Sequence, residues 1–153
     1  MEILAGLHPR LVHFPIALFI IYFFLESYGI LLKKDYLNKS AYIILIAGII
    51  MALLSVLTGN QAHETATILY KDKINMLNQF IEQHEQSATI TLWYFFVVLI
   101  LRTYLVVKKK FESNWKYIFI PLGFVGCYLI YITGIYGGEL VFKYGIGTQL
   151  FGK

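Results

Sequence analysis

Leu7–Leu32 reads LHPRLVHFPIALFIIYFFLESYGILL, a polar doorway of two histidines, an arginine and two prolines that opens onto an almost unbroken apolar run. From Leu11 to Leu32 the run is long enough to cross about 30 Å of hydrocarbon at about 1.5 Å per residue. Pro15 falls in its first turn, where a missing backbone donor is harmless. No basic n-region and no small-residue cleavage site precede it, so it is expected to be a retained span rather than a removed signal peptide. A histidine at such a doorway is costly without a partner or a task.

The same pattern recurs along the chain. With 58% hydrophobic and 14% charged residues in 153, the composition is that of an integral membrane protein, read as one domain over 1–153. Spans are expected at about 11–32, 41–60, 88–107 and 117–135, giving an all-α antiparallel four-helix membrane bundle. Seven of the thirteen basic residues, Lys33, Lys34, Lys39, Lys108, Lys109, Lys110 and Lys116, lie in two short connectors. Under the positive-inside rule those connectors are cytoplasmic, which places both termini and all four histidines on the outer, periplasmic face of a bacterial inner membrane. That distribution accounts for the formal charge of +4 without nucleic acid. Cys127 is the single cysteine; an intrachain disulfide, a cysteine-ligated iron–sulfur cluster and a covalent c-type haem motif are therefore absent.

Between the second and third spans the polar stretch keeps a helical rhythm. Ile74, Leu77, Ile81, His84 and Ala88 recur at spacings of three and four, so the third helix is expected to start near Lys73 and to enter the membrane only after His84. The second helix continues past Gly59, and the two form a hairpin above the outer face with its tip at Lys71, Asp72 and Lys73. His63 and His84 then stand at similar heights on adjacent helices, facing each other. Gly48, Ala52, Ser55, Gly59 and His63 form one stripe of small residues that permits close helix approach. Gly123, Cys127, Gly134 and Gly137 form another on the fourth helix, which is expected to end at Gly137 and Gly138. Two intramembrane charges, Glu26 and Arg102, reach similar depth near the lysine-rich connectors and can form an ion pair, since burying either alone costs several kcal/mol; the alternatives are that Arg102 snorkels to the interface and that Glu26 serves a proton relay or a quinone site.

The opening LHPRLVHFPIALF, the polar pair His84–Glu85 and the closing GGELVFKYGIG resemble a bacterial four-helix membrane domain family of unknown function. Its motifs are an HPxxVHFPIAL start and a GGxLVxxxGxG end, and the likeness covers the whole chain. His8, His13, Pro15, Gly137, Gly138, Gly145 and Gly147 occupy motif positions, whereas His63 rests on helix counting. Relatives in that family occur joined to Rieske or c-type cytochrome domains. The resemblance thus implies electron transfer at the outer face, with a redox partner of that kind.

A b-type haem takes two axial imidazoles from different helices, with small residues making room for the ring. Four histidines suffice for two such haems. His63 with His84 and His8 with His13 is the simplest pairing, and a crossed pairing is equally open. His13, followed on its own face by Ala17, Ile20 and Phe24, is expected to point into the bundle; His8, ahead of Pro9, is expected in a covering loop. Arg10, Lys143 and the backbone donors around Gly137 and Gly138 are candidates for holding propionates.

Two other readings stand beside haem. One is a copper, zinc or iron site built from His63, Glu64, His84, Glu85, Glu139 and His13, although neither HE dipeptide is part of an HExxH metalloprotease motif. The other is a structural subunit without a cofactor. No nucleophile–base pair or phosphate-binding loop stands out, so the chain reads as an electron carrier rather than an enzyme in its own right. Lipid contact is expected, and a quinone or a second copy of the chain is a further candidate partner.

Overall fold

The computed structural model describes residues 2–69, 71, 74–111 and 113–146, with side chains for all of these except 2–4 and 74–76. The chain is a four-helix membrane bundle with a short helix leading into its first member. In order, the elements are α1 (Glu2–Leu11), α2 (His13–Leu31), α3 (Asp35–Leu69), α4 (Ile74–Val107), a 3-10 turn (Asn114–Ile118) and α5 (Phe119–Phe142). Four segments, Ala5–Leu31, Asp35–Leu69, Leu77–Val107 and Asn114–Phe142, are long and apolar enough to cross a membrane. Outward-facing Ile43, Ile50 and Leu57 on α3 and Ile90, Trp93, Val97 and Ile100 on α4 are exposed. In water this surface would demand a partner, whereas in hydrocarbon it is simply solvated.

The four long helices are antiparallel, and α2–α3, α3–α4, α4–α5 and α5–α2 are neighbours around a square. Glycines set the closest approaches: a Cβ on Gly48 would stand 2.7 Å from the Phe19 ring, and one on Gly126 would stand 2.6 Å from Phe95. Phe19 and Phe95 stack at 3.8 Å across the centre. In hydrocarbon, such close packing rather than apolar burial drives helix association. Gly48→Leu is therefore expected to lower the stability of the detergent-solubilised protein by about 1–3 kcal/mol. Thermal unfolding followed by circular dichroism checks this, and an unchanged midpoint would speak against the α2–α3 contact.

Both lysine-rich turns close a helix in the same way. Lys33 and Lys109 take left-handed backbone angles (φ 54° and 53°), and the next amides, Lys34 and Lys110, reach back to the carbonyls of Gly29 and Leu105 at 2.9 Å. Glycine is the usual residue at that position, and a side chain there stores local strain.

At the opposite end α3 and α4 outrun the bilayer. Their 35 and 34 residues correspond to about 50 Å each at about 1.5 Å per residue, against about 30 Å of hydrocarbon. The hairpin expected from the sequence is present, and Lys71 lies in its turn; Asp72 and Lys73 fall outside the described residues. Its stem has an apolar core of its own, in which Ala66, Leu77, Ile81 and Leu140 pack with Phe80, Tyr144 and Ile146. Leu140 reaches it because α5 does not stop at the glycine pair but continues to Phe142. Neither glycine is followed by a residue that forbids helix, and the real stop is Gly145, with φ 68°, where the Ile146 amide turns back to the Leu140 carbonyl at 2.8 Å. Gly147 lies outside the described residues. The α5 stripe also differs from expectation: its buried face holds Gly123, Gly126, Ile130 and Leu140, while Cys127 is half-buried and Gly134 exposed.

Two expectations for the doorway are corrected. His8 lies within α1, which contains Pro9, and the break with α2 comes at Val12 because the Pro15 ring cannot coexist with a helical carbonyl four residues earlier, at Leu11. His13 and Phe14, at the start of α2, are exposed; so are Ala17 and Phe24. The buried face of α2 is Pro15, Phe19, Tyr22, Glu26, Gly29 and Ile30. Glu26 explains the rotation, since a membrane carboxylate must face protein and it carries inward the residues four, seven and eleven positions before it.

Candidate functional site: a polar layer between two apolar cores

The main core runs through Phe19, Tyr22, Leu45, Ile49, Ala52, Phe95, Val98 and Ile130. The hairpin core is separate from it. Following each interior face from one to the other, apolar residues give way to small or polar ones at a single level. On α3 these are Ser55, Thr58 and Gly59; on α4 they are His84, Ser87 and Thr91. Thr133 and Gly137 occupy the level on α5, and α1 brings His8 to it.

His8 is half-buried against α3. Its Nδ1–H donates to the Ser55 carbonyl at 3.0 Å, with the Thr58 hydroxyl oxygen 3.2 Å away. That hydroxyl spends its own proton on the carbonyls of Leu54 and Ser55, at 3.0 Å each. His84 is arranged alike on the other side of the bundle, its Nδ1–H donating to the Thr133 carbonyl at 3.3 Å. Below it the Ser87, Thr91 and Thr133 hydroxyls are joined at 2.8 and 2.9 Å, tying α4 to α5. Each imidazole lies over a glycine: a Cβ on Gly59 would stand 3.1 Å from His8 Cε1, and one on Gly137 would stand 3.0 Å from His84 Cε1.

A carbonyl oxygen can only accept, so both rings carry their hydrogen on Nδ1, and a neutral ring then has its lone pair on Nε2. Metal-ligating imidazoles are characteristically held in this way, with one nitrogen bonded to carbonyl or carboxylate and the other presented to the metal. His8 and His84 are also near enough for a charge on one to be felt by the other.

His63 is at the expected height but has a different partner. Its Nδ1 meets Glu85 Oε1 at 2.9 Å, and both side chains are about a third exposed, at 30% and 37%. The facing arrangement with His84 is thus replaced by a His63–Glu85 pair. Consecutive residues of a helix diverge by about 100°, so when His84 turns inward to Thr133 its neighbour turns outward. His13 is exposed, turned out of the bundle. Arg10 and Lys143 are exposed as well, Lys143 with its Nζ 5.4 Å from the Tyr144 ring. Gly137 lies under His84, whereas a Cβ on Gly138 would meet nothing.

Among the described residues no three histidine, cysteine, aspartate or glutamate side chains converge as metal ligands. The copper, zinc or iron alternative built from His63, Glu64, His84, Glu85, Glu139 and His13 thus has no converging group of three ligands among the described residues.

Thr58, Thr91 and Thr133 were not legible as site residues, because an isolated threonine inside an apolar helix bonds back to its own backbone and fits any membrane span. The available signal was their shared level on three helices. No curated protein and no solved structure matches the chain. A family model described as "Predicted membrane protein (DUF2231)" matches residues 5–150, taking in the bundle, the hairpin and the histidine layer, and the chain belongs to that family.

Proposed function

We propose that this membrane domain is an electron-transfer protein that holds a b-type haem in the polar layer, which His8 and His84 would ligate. The observation that carries the reading is the matched pair of Nδ1–H bonds to the Ser55 and Thr133 carbonyls, which orients two imidazoles and leaves Nε2 of each for iron. A bis-histidine haem asks the protein for two ligands from different helices and a site close to water, not for a third side chain. The residues present fit that demand: the ligands come from α1 and α4, and glycines lie against both rings. A bound haem supplies reversible one-electron transfer. The chain fixes the ring orientations and insulates the site with apolar cores above and below.

We read one haem rather than the two that four histidines allow, because His13 is turned outward and His63 is engaged by Glu85. The His63–Glu85 pair marks the water-facing rim of the layer, where a redox protein of the Rieske or c-type cytochrome class would approach. With the lysine-rich turns in the cytoplasm, that rim and both termini are periplasmic in a bacterial inner membrane. In a Cys127→Ala background, Lys109→Cys should react with a membrane-impermeant maleimide only after the cells are opened. Labelling in intact cells would invert the topology.

The reading itself is tested by the absorption spectrum of the full chain, purified after haem-sufficient expression. A Soret band with sharp bands on dithionite reduction is expected. A colourless protein would overturn it, and a stoichiometric metal found by elemental analysis would redirect the histidines to non-haem chemistry.

A further inference from the structure

The end of the bundle away from the histidines contains a second polar cluster, wholly enclosed. Tyr22, Glu26 and Arg102 are 1–2% exposed and Asn38 is 5% exposed. Arg102 Nε pairs with Glu26 Oε1 at 2.7 Å, and Nη2 donates to the Asn38 carbonyl at 3.2 Å. Four further atoms, Tyr22 Oη, Glu26 Oε2, Asn38 Oδ1 and Arg102 Nη1, are buried with no hydrogen-bonding partner among the described residues. A membrane protein that needed only packing at this level would do as well with apolar side chains, since a buried ion pair is weak support for stability. Charged groups at this depth mark ion or proton pathways by default.

The chemistry of the four atoms defines what satisfies them. They comprise a hydroxyl, a carboxylate oxygen, an amide oxygen and a guanidinium nitrogen, so donors and acceptors are mixed and the set is electrically neutral. An anion would meet Glu26 and a cation would meet Arg102. A small neutral molecule that both donates and accepts is left, and water is the simplest of that class. Glu26 is faced by Tyr22 on its own helix and by Arg102 from α4; Asn38 and Tyr42 from α3 face Arg102, and Tyr94 is within range of Tyr22. The flanking Phe111 and Phe119 are uncharged. Phe111 belongs to the lysine-rich turn and lies across the guanidinium, its ring centroid 3.1 Å from Arg102 Cζ. A side chain of a surface turn thus covers the guanidinium.

We propose that Tyr22, Glu26, Asn38 and Arg102 form an internal site that binds water and exchanges a proton on Glu26 with the lysine-rich face. The carboxylate oxygen turned away from Arg102 takes a proton delivered by water and becomes the acid, while Arg102 keeps its charge. The excess positive charge is then faced by the Tyr22 and Asn38 oxygens. The inference is independent of haem and is read without it.

The test is infrared difference spectroscopy of the full chain in lipid bilayers, between alkaline and acidic buffer within the pH range where it stays folded. A carbonyl stretch of a protonated carboxyl in an apolar setting is expected, shifted by ¹³C-glutamate and by D₂O and lost in Glu26→Gln. If Glu26→Gln does not fold, Glu26→Asp keeps a carboxyl and should move the band. Tyr22→Phe should also shift it, through the lost hydroxyl. Absence of a band that depends on residue 26 would overturn the proposal and leave a permanently ionised structural pair. A band insensitive to D₂O would overturn exchange with solvent, and one unmoved by Tyr22→Phe would overturn the four-residue site.

Discussion

Arg102→Met should be the most damaging single substitution in the bundle, costing about 3–5 kcal/mol in alkaline buffer, where Glu26 is ionised, because it leaves the carboxylate buried without its counter-charge. The guanidinium does more than neutralise. It bonds to the Asn38 carbonyl and stacks on Phe111, so its loss also loosens α3 and the lysine-rich turn. Pairing it with Glu26→Met should recover most of the loss, since two apolar side chains of similar volume pack where two charges had to be desolvated. A double-mutant cycle on unfolding free energies in mixed detergent measures the coupling. If the two single substitutions simply add, the 2.7 Å contact carries no energetic link between α2 and α4.

The second large effect is expected at the histidines. His84→Ala and His8→Ala should each deplete the same haem, at least tenfold in haem per chain after purification, and combining them should remove no more. Two ligands of one iron act as a unit, and their losses are not additive. His13→Ala should leave haem content unchanged, because that ring is exposed and bonds to nothing among the described residues. His63→Ala should keep the haem too, since its imidazole is committed to Glu85. Additive losses at His8 and His84 would place them in two different sites.

Spans, hairpin and the Glu26–Arg102 pair were legible because they depend on quantities that a one-dimensional reading contains: the length of apolar runs, the 3.6-residue period and the distance of a charge from a connector. The stripe from Gly48 through Ser55 was legible for the same reason. Rotation of α2 about its axis is legible only through the Glu26–Arg102 pair: on a helix apolar all round no hydrophobic face declares itself, and turning Glu26 to Arg102 carries His13 outward. What sets the rotation is one buried carboxylate meeting an arginine on another helix.

The site was half legible. That the histidines cluster at one end follows from counting, and so does the equal height of His63 and His84. Which of them share an interior depends on the kink that Pro15 imposes after Leu11, which lets α1 lay His8 on α3, and on the two backbone carbonyls that catch the rings. Backbone acceptors are invisible to residue types. For that reason Ser55 and Thr133 acquire their roles only in three dimensions.

Ligation of one iron by His8 and His84 is tested most directly by low-temperature electron paramagnetic resonance of the oxidised, purified chain. A low-spin ferric signal of bis-imidazole type is expected, integrating to one spin per chain and replaced by a high-spin or vanishing signal in His84→Ala. Two low-spin hemes per chain, a low-spin signal that survives in both His8→Ala and His84→Ala, or no ferric signal at all would contradict it.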